Sequence, residues 1–321
     1  MGDKYPKLKI AAVQAVPVFL DREASVEKSC NLIREAAKNG ANLVVFPEGF
    51  IPTHPVWYHF HACTGMIASS LSMELFKNSV EVPSEDVKKL CRTAGENNIY
   101  VIMGICEKLP GTTGTMYNSQ IIIASNGKLI AKRQKIMPTV GERIVHKGGS
   151  GVNITTFTTE FGPISALMCS ENSNPLAIMA LVAKGTILHA MSWPNFWGKL
   201  SLPMRHYVSI ATYNFAQVAQ CFVISACSIT NEDMLEKLQL SSEEKDFLRQ
   251  LEYTGGSLIV GPDAKLLAGP MGNEEGIIYA DIDIEECIKG KLDHDFAGHY
   301  NREDIFQLFV NKSDPHLVNE N

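Results

Sequence analysis

An α/β fold is predicted by three features of the sequence. Short apolar runs, such as NLVVF at 42–46 and ISALM at 164–168, carry little polar alternation, as strands do when both sheet faces are covered. Between them lie segments with apolar residues at helical spacing, for example Val26, Cys30, Ile33 and Ala37 within 23–39. The alternation of strand and helix starts again after 151, so the two halves share a layout, although no residue-level repeat is visible.

Taken in order, KIAAVQA at 9–15 is the first strand, the helix at 23–39 follows, and Gly40 ends it. The strand at 42–46 stops at Pro47-Glu48, which leaves a carboxylate at a strand end. The helix at 83–97 has Ser84 as its N-cap, and a strand at 100–105 comes directly after. Strands at 117–124 and 128–132 flank Asn126-Gly127, a type I′ hairpin signal. In the second half the expected strands are 152–157, a central one ending at Cys169, 186–191 and 221–226, with helices at 175–184 and 203–218. A polar, charged helical insertion at about 228–253 carries Ser241 and Glu244 in capping-box spacing ahead of Phe247, Leu248 and Leu251. Strands at 257–260, 265–268 and 277–282 close the layout. A single domain is expected over 1–312, with 313–321 a loose tail.

The 321 residues, 45% of them hydrophobic, are ample for a large core. A net charge of -6 gives no basic surplus, so neither nucleic acid nor an anionic membrane surface is an expected partner. The start, MGDKYPKLKI, runs into the first strand without a long apolar segment, so no secretory signal or membrane span is expected and the chain reads as cytoplasmic. Its eight cysteines are scattered without C-x-x-C pairs, which suits reduced thiols better than a disulfide or zinc framework. No G-x-G-x-x-G follows a strand, which argues against a dinucleotide site.

The stretch FGPISALMCSENSNPLA at 161–177 reads as strand, sharp turn and helix. Cys169 would then sit beside the first amides of a helix, which favours a thiolate and offers donors to an oxyanion. A lone cysteine there also fits a buried structural role, a glutamate after a strand fits a solvated turn, and Lys135 in AKRQKIMP fits one more edge charge. His54, His59, His61 and Cys63 are zinc-ligand types, but their spacing is irregular and aromatic residues interleave. The segment follows Glu48 directly, so it suits a substrate-pocket wall better, and no metal is expected. Trp57, Tyr58, Trp193 and Trp197 are candidates for that wall, with core packing the other role open to each.

Together the local words are more specific. VVFPEGF, KRQKIMPTVGER and CSENSNPLA match in order the three catalytic motifs of the nitrilase, or carbon-nitrogen hydrolase, superfamily, which the chain resembles. Further matches are Gln14 in AAVQA, Tyr117-Asn118-Ser119, Ser192-Trp193-Pro194, Gly255-Gly256-Ser257 and Gly298-His299-Tyr300. The resemblance implies a four-layer αββα sandwich. It also implies Glu48 as general base, Cys169 as nucleophile, Lys135 as the cation that stabilises developing charge, and Glu142 as a residue orienting the lysine or the attacking water. The Ser170 amide would join Lys135 in stabilising charge on nitrogen, and His54 would face the substrate. No cofactor enters such chemistry, which needs only acid-base, nucleophilic and electrostatic help.

CSENSNPLA and the GHYNREDIF ending look most like true nitrilases, whose substrate is a small organic nitrile. Amidases or N-carbamoyl hydrolases, and a non-catalytic scaffold member, are the other readings. Three positions depart from the nitrilase pattern: Ser170 where Trp or Gly is usual, His54 where Tyr is common, and Ile178 where Arg is common. The resemblance further implies a homodimer or larger spiral homo-oligomer. Contacts would involve the insertion and the 298–310 segment, with Ile305, Phe306, Leu308 and Val310; the insertion's apolar stripe would serve equally well inside its own subunit.

Overall fold

The computed structural model describes residues 2–196 and 203–313. Its first half runs β1 (Lys7–Gln14), α1 (Arg22–Lys38), β2 (Leu43–Val45), α2 (Met66–Asn78), α3 (Glu85–Glu96), β3 (Tyr100–Lys108), β4 (Met116–Ile123) and β5 (Leu129–Gln134). The second runs β6 (Thr156–Thr159), β7 (Gly162–Met168), α4 (Pro175–Val182), β8 (Leu188–Trp193), α5 (Met204–Ala219), β9 (Phe222–Cys227), α6 (Glu232–Lys237), α7 (Ser242–Leu248), β10 (Leu258–Val260), β11 (Leu266–Ala268), β12 (Gly276–Asp283) and α8 (Glu285–Asp293). The strands form two six-stranded sheets, in the orders β12-β1-β2-β3-β4-β5 and β11-β10-β9-β8-β7-β6.

Alternation along each strand assigns its two faces to different layers. Ile10, Ala12, Val45 and Ile102 of one sheet pack with Ala166, Ala190 and Ile224 of the other. Their neighbours Ala11, Val13, Val44 and Val101 pack outward against Cys30, Ile33 and Leu90 of α1 and α3. On the far side Leu167, Met191 and Val223 meet Leu181, Val208 and Phe215 of α4 and α5. The result is the four-layer αββα sandwich. Burial on both faces is the reason the central strands read as near-continuous apolar runs.

Local signals account for most boundaries. The Asp21 side chain caps α1 through the Ala24 amide at 2.9 Å, Ser84 caps α3, and Ser241 with Glu244 closes the expected capping box on α7. The hairpin at Asn126-Gly127 is not type I′. Ala124 N donates to Lys128 O across a three-residue loop in which Gly127 has φ +78 and Asn126 does not have positive φ, and a bulge follows at Ile122/Ile123. The strand expected at 152–157 gives way to a 3-10 turn at Gly151–Asn153, and β6 begins only at Thr156. Asn153 explains this, because its side chain accepts from Gln134 N and donates to Ser150 O, holding a turn. Helices α2 and α8 carry no motif that singled them out; α2 leaves Met66 and Met73 exposed, which weakens its apolar stripe.

In the insertion, Leu248 is buried and Phe247 packs against the same cluster as Trp57 and Phe196, so this stripe serves its own subunit, while Leu251 stays exposed. Trp197 and, except for Ser313, the expected tail at 313–321 lie outside the described residues. No helix among the described residues is long and apolar enough to cross a membrane.

Strand direction brings the candidate residues to one edge. β1, β2 and β3 are parallel, β4 and β5 each reverse, and so β5 ends on the same side as β2. β7, β8 and β9 are parallel in the second sheet, and the bridge between Ala15 and Ser228 joins the two sheets at this edge. Glu48 after β2, Lys135 after β5 and Cys169 after β7 therefore stand at carboxyl ends, where ligand sites of α/β sheets form. Glu48 depends on a close crossing: a Cβ at Gly104 would lie 2.0 Å from Pro47 O and 3.0 Å from Glu48 Cα. Gly104→Ala is expected to push the Pro47-Glu48 backbone aside and lower stability by about 1–3 kcal/mol, as overpacking does. Chemical denaturation measures this, and an unchanged midpoint would show that β3 and the Glu48 turn do not constrain each other.

Candidate active site

Lys135 Nζ sits between two carboxylates, 2.7 Å from Glu48 Oε1 and 2.7 Å from Glu142 Oε2. All three side chains are buried. Asn118, in β4 beside the Lys135 strand, donates from one Nδ2 to Glu48 Oε1 at 2.6 Å and to Glu142 Oε1 at 2.7 Å. Lys135 N in turn donates to Asn118 O at 2.8 Å, so the amide that bridges the acids is registered to the lysine. Glu142 reaches inward from the 3-10 turn Val140–Ile144, where it also accepts from Thr139 N at 2.8 Å and hydrogen-bonds His146 Nδ1 at 3.2 Å.

The two acids are unequal. Glu142 is met by Lys135, Asn118, Thr139 N and His146, whereas among the described residues Glu48 is met by Lys135 and Asn118 on Oε1 alone and its Oε2 has no partner. Burial would raise both, but the Lys135 ammonium and the His146 hydrogen bond hold Glu142 well below the carboxylate range. Burial, opposed by Lys135 and reinforced by the Glu142 charge, pushes Glu48 up to about 7. Lys135 is held protonated: burial alone would lower its pKa, and the Glu142 and Glu48 charges reverse that. Glu142 thus keeps its charge, and Glu48 is the acid free to exchange a proton near neutrality.

Cys169 opens the 3-10 turn Cys169–Ser173 at the end of β7, with φ +49. The expected first turn of an α-helix beside it is this five-residue turn, and α4 begins only at Pro175. Left-handed backbone at a non-glycine residue costs about 1–2 kcal/mol and is kept where the surroundings impose it. Here Asn172 Nδ2 donates to Cys169 O at 2.9 Å, and Asn172 Oδ1 meets His189 Nε2 at 2.9 Å. Burial pushes the Cys169 thiol up to about 12, with Glu48 adding to the rise and Lys135 opposing it. The resting cysteine is a neutral thiol that needs a base to act as a nucleophile.

The carbon-nitrogen hydrolase family matches residues 9–291, a span that contains every residue of this cluster. The chain belongs to the carbon-nitrogen hydrolase family. Among its relatives, a nitrilase of Bacillus sp. (strain OxB-1) is 35% identical over 318 residues, covering 97% of this chain and 90% of the relative. An arylacetonitrilase of Aspergillus oryzae is 32% identical over 324 residues, covering 98% and 94%. The fold is shared with a nitrilase-superfamily member of Saccharomyces cerevisiae, at TM-score 0.69 and 24% identity over 94% of this chain and 97% of that one. A carbon-nitrogen hydrolase from Helicobacter pylori G27 superposes at TM-score 0.71 and 18% identity, over 94% and 97%.

The residues expected around the substrate divide. His54 is buried against the acids, with Nδ1 3.7 Å from Glu48 Oε1 and Nε2 2.9 Å from Tyr58 Oη, and burial holds it neutral. Tyr58 is half-buried, its ring closing on Gly141, where a Cβ would come within 2.6 Å. Ser170 stands next to the thiol, its Oγ 3.7 Å from Cys169 Sγ. Trp57 and Trp193 are buried as deeply as Glu48, Lys135 and Cys169 themselves. Trp57, 1% exposed, stacks edge-on with Phe19 and donates to Ser72 Oγ, and Trp193, 0% exposed, packs in the same buried cluster as Cys169 and the α4–α5 side chains. Trp193 still contributes through its backbone, because its carbonyl accepts from Glu48 N at 3.2 Å.

The histidine cluster separates likewise: His61 Nε2 meets Leu238 O and His59 packs between Tyr58 and Phe196. Glu48, His54 and Glu142 do offer ligand atoms within 4.8 Å of one another. The Lys135 ammonium already occupies the gap between the carboxylates, and a second cation there would be repelled at close range. Asn118, His146 and the Asn172–His189 pair were not legible as site residues; only the Tyr117-Asn118-Ser119 word marked the first of them. Infrared difference titration against Glu48→Gln is expected to place the Glu48 midpoint at about 7. Asn118→Ala removes a donor that favours the carboxylate and should move that midpoint upward; a downward shift would contradict the arrangement.

Proposed function

We propose that the protein is a thiol hydrolase of nitriles, with Cys169 as nucleophile, Glu48 as general base, Lys135 as the electrostatic stabiliser and Glu142 as the group that orients Lys135. The observation that carries this reading is the asymmetry of the two acids around one buried ammonium, beside a cysteine at a strained strand end. Nitrilase relatives over nearly the full chain support the nitrile as substrate.

Glu48 takes the thiol proton as Sγ adds to the nitrile carbon, and that proton passes to the nitrogen to give a thioimidate. The Lys135 ammonium and the Ser170 amide stabilise charge on nitrogen as it develops. Glu48, again a carboxylate, takes a proton from water as it adds, and the nitrogen leaves as ammonia once protonated. A second water cleaves the resulting thioester, returning the thiol and releasing the carboxylic acid. Every proton transfer passes through Glu48, whose value near 7 suits both directions at neutral pH.

We also infer a homo-oligomer. Ile305, Phe306 and Phe309 are exposed on the C-terminal segment, and a second copy would cover them.

Ammonia release from aliphatic, aromatic and arylacetonitrile substrates tests the reading, with trapping of an acyl or imidoyl adduct on the Cys169 peptide. Cys169→Ala should be folded and inactive, and turnover in that variant would refute the assignment. Because the base must be ionised, kcat/KM should rise with pH through about 7 and fall about tenfold per unit below it. Lys135→Arg should keep less than about a tenth of the activity, a loss above about 1.4 kcal/mol, since a planar fork cannot replace a compact ammonium between two carboxylates.

A further inference from the structure

The residues proposed for catalysis come from different sheets, and one ion pair outside that set joins them. Lys135 follows β5 of the first sheet, and Cys169 follows β7 of the second. Between them Glu171 and Arg133 form a bidentate pair, Arg133 Nη1 to Glu171 Oε2 at 2.9 Å and Nη2 to Oε1 at 3.0 Å, both side chains buried. Each carboxylate oxygen accepts one further bond. Oε1 takes Ile136 N at 2.7 Å, and Oε2 takes Met168 N at 2.9 Å. One carboxylate is therefore hydrogen-bonded to the residue after Lys135 and to the residue before Cys169.

The same pair reaches the Glu48 strand. Arg133 Nη1 also donates to Gln120 Oε1 at 3.1 Å, Gln120 Nε2 donates to Ser192 Oγ at 2.8 Å, and Ser192 Oγ donates to Phe46 O at 2.8 Å, two residues before Glu48. Arg133 and Glu171 together carry no net charge, so their effect on the thiol and the acids is geometric. A buried ion pair is also weak ground for stability alone, since apolar groups of similar volume often serve as well.

We infer that Glu171, held by Arg133, is a positioning residue that sets Cys169 against the Lys135–Glu48 pair, an inference that rests on Cys169 being the nucleophile proposed above. Its carboxylate fixes both flanking amides at once, and its fork-shaped partner fixes the carboxylate's plane. Misplacement of a reacting group by about 1 Å can cost about a hundredfold in rate.

The experiment compares the native protein with Glu171→Gln, Arg133→Lys and Leu188→Ala. The last variant opens a cavity between the sheets, away from the site, and serves as a matched loss of stability. Three quantities are read: kcat and KM on a nitrile, thermal midpoint, and the rate at which iodoacetamide alkylates Cys169, resolved by peptide mass spectrometry. Glu171→Gln puts an amide where one carboxylate oxygen accepted, and should lower kcat about a hundredfold and Cys169 alkylation at least about tenfold, with KM within about threefold. Arg133→Lys keeps the charge without the fork and should fall between. Leu188→Ala should lose thermal midpoint but keep kcat and alkylation within about threefold.

Native kcat in Glu171→Gln, or equal loss of kcat in Leu188→Ala at equal loss of midpoint, overturns the inference. If Glu171→Gln does not fold, Arg133→Lys decides, and native kcat there overturns it. Should the native protein release no ammonia from any nitrile, the nitrile reading fails, while the alkylation contrast between variants still tests the positioning role.

Discussion

A single buried ammonium holds the site together. Lys135 lies 2.7 Å from each of two carboxylates in a place that excludes water, and none of the three charges would be tolerable alone. Two acids and one base leave a surplus negative charge, and surplus charge in a low dielectric is relieved by binding a proton. Which acid takes it is decided by hydrogen bonds. Glu142 has Thr139 N and His146 in addition to the shared donors, so the proton goes to Glu48. A structural ion pair of equal partners would not make this distinction, which leaves one of the two glutamates able to exchange a proton near neutrality.

The sandwich serves that arrangement by supplying strand ends. Parallel strands in each sheet point their carboxyl ends to one edge, and the two β-turn reversals after β3 return β5 to the same direction. Each side chain proposed for catalysis then leaves a strand by one to three residues, which limits the freedom that would otherwise have to be lost on reaching the transition state. The tight crossing at Gly104 and the left-handed Cys169 are the local strains accepted for this placement. Stability comes from the three apolar layers and is spent at the edge.

Much of this was legible in the residues, and the pattern of failures is physical. Strand ends at Glu48 and Cys169 could be read because buried strands announce themselves by unbroken apolar runs that stop at a polar residue. The burial of Trp57 and Trp193 was not legible, because an aromatic ring near a motif has the same spelling whether it is covered or open. The Asn126-Gly127 turn was misread because loop length, which depends on register, chooses between hairpin types. Asn118, Arg133 and Glu171 were opaque for a deeper reason. Their meaning lies in partners distant along the chain, 70 residues for Asn118 with Glu48 and 38 for Arg133 with Glu171, and such long-range polar pairing leaves no periodic trace in one sequence.

The thiol itself shows what the surrounding geometry must accomplish. Burial pushes Cys169 up to about 12, so in the proposed reaction the exclusion of water that would help later steps opposes the first. A helix N-terminus could have offset this, but the cysteine opens a short 3-10 turn, and the nearest α-helix starts at Pro175. The remaining means are a base in contact as the bond forms and a cation to receive the developing charge, and both must be placed within hydrogen-bond tolerance. In the proposed mechanism proton removal and bond formation are one event, because neither a free thiolate nor an unassisted attack is accessible at neutral pH. A mechanism of that kind depends on the relative position of three side chains more than on any one pKa, which is why the contacts joining the strand ends matter as much as the groups they carry.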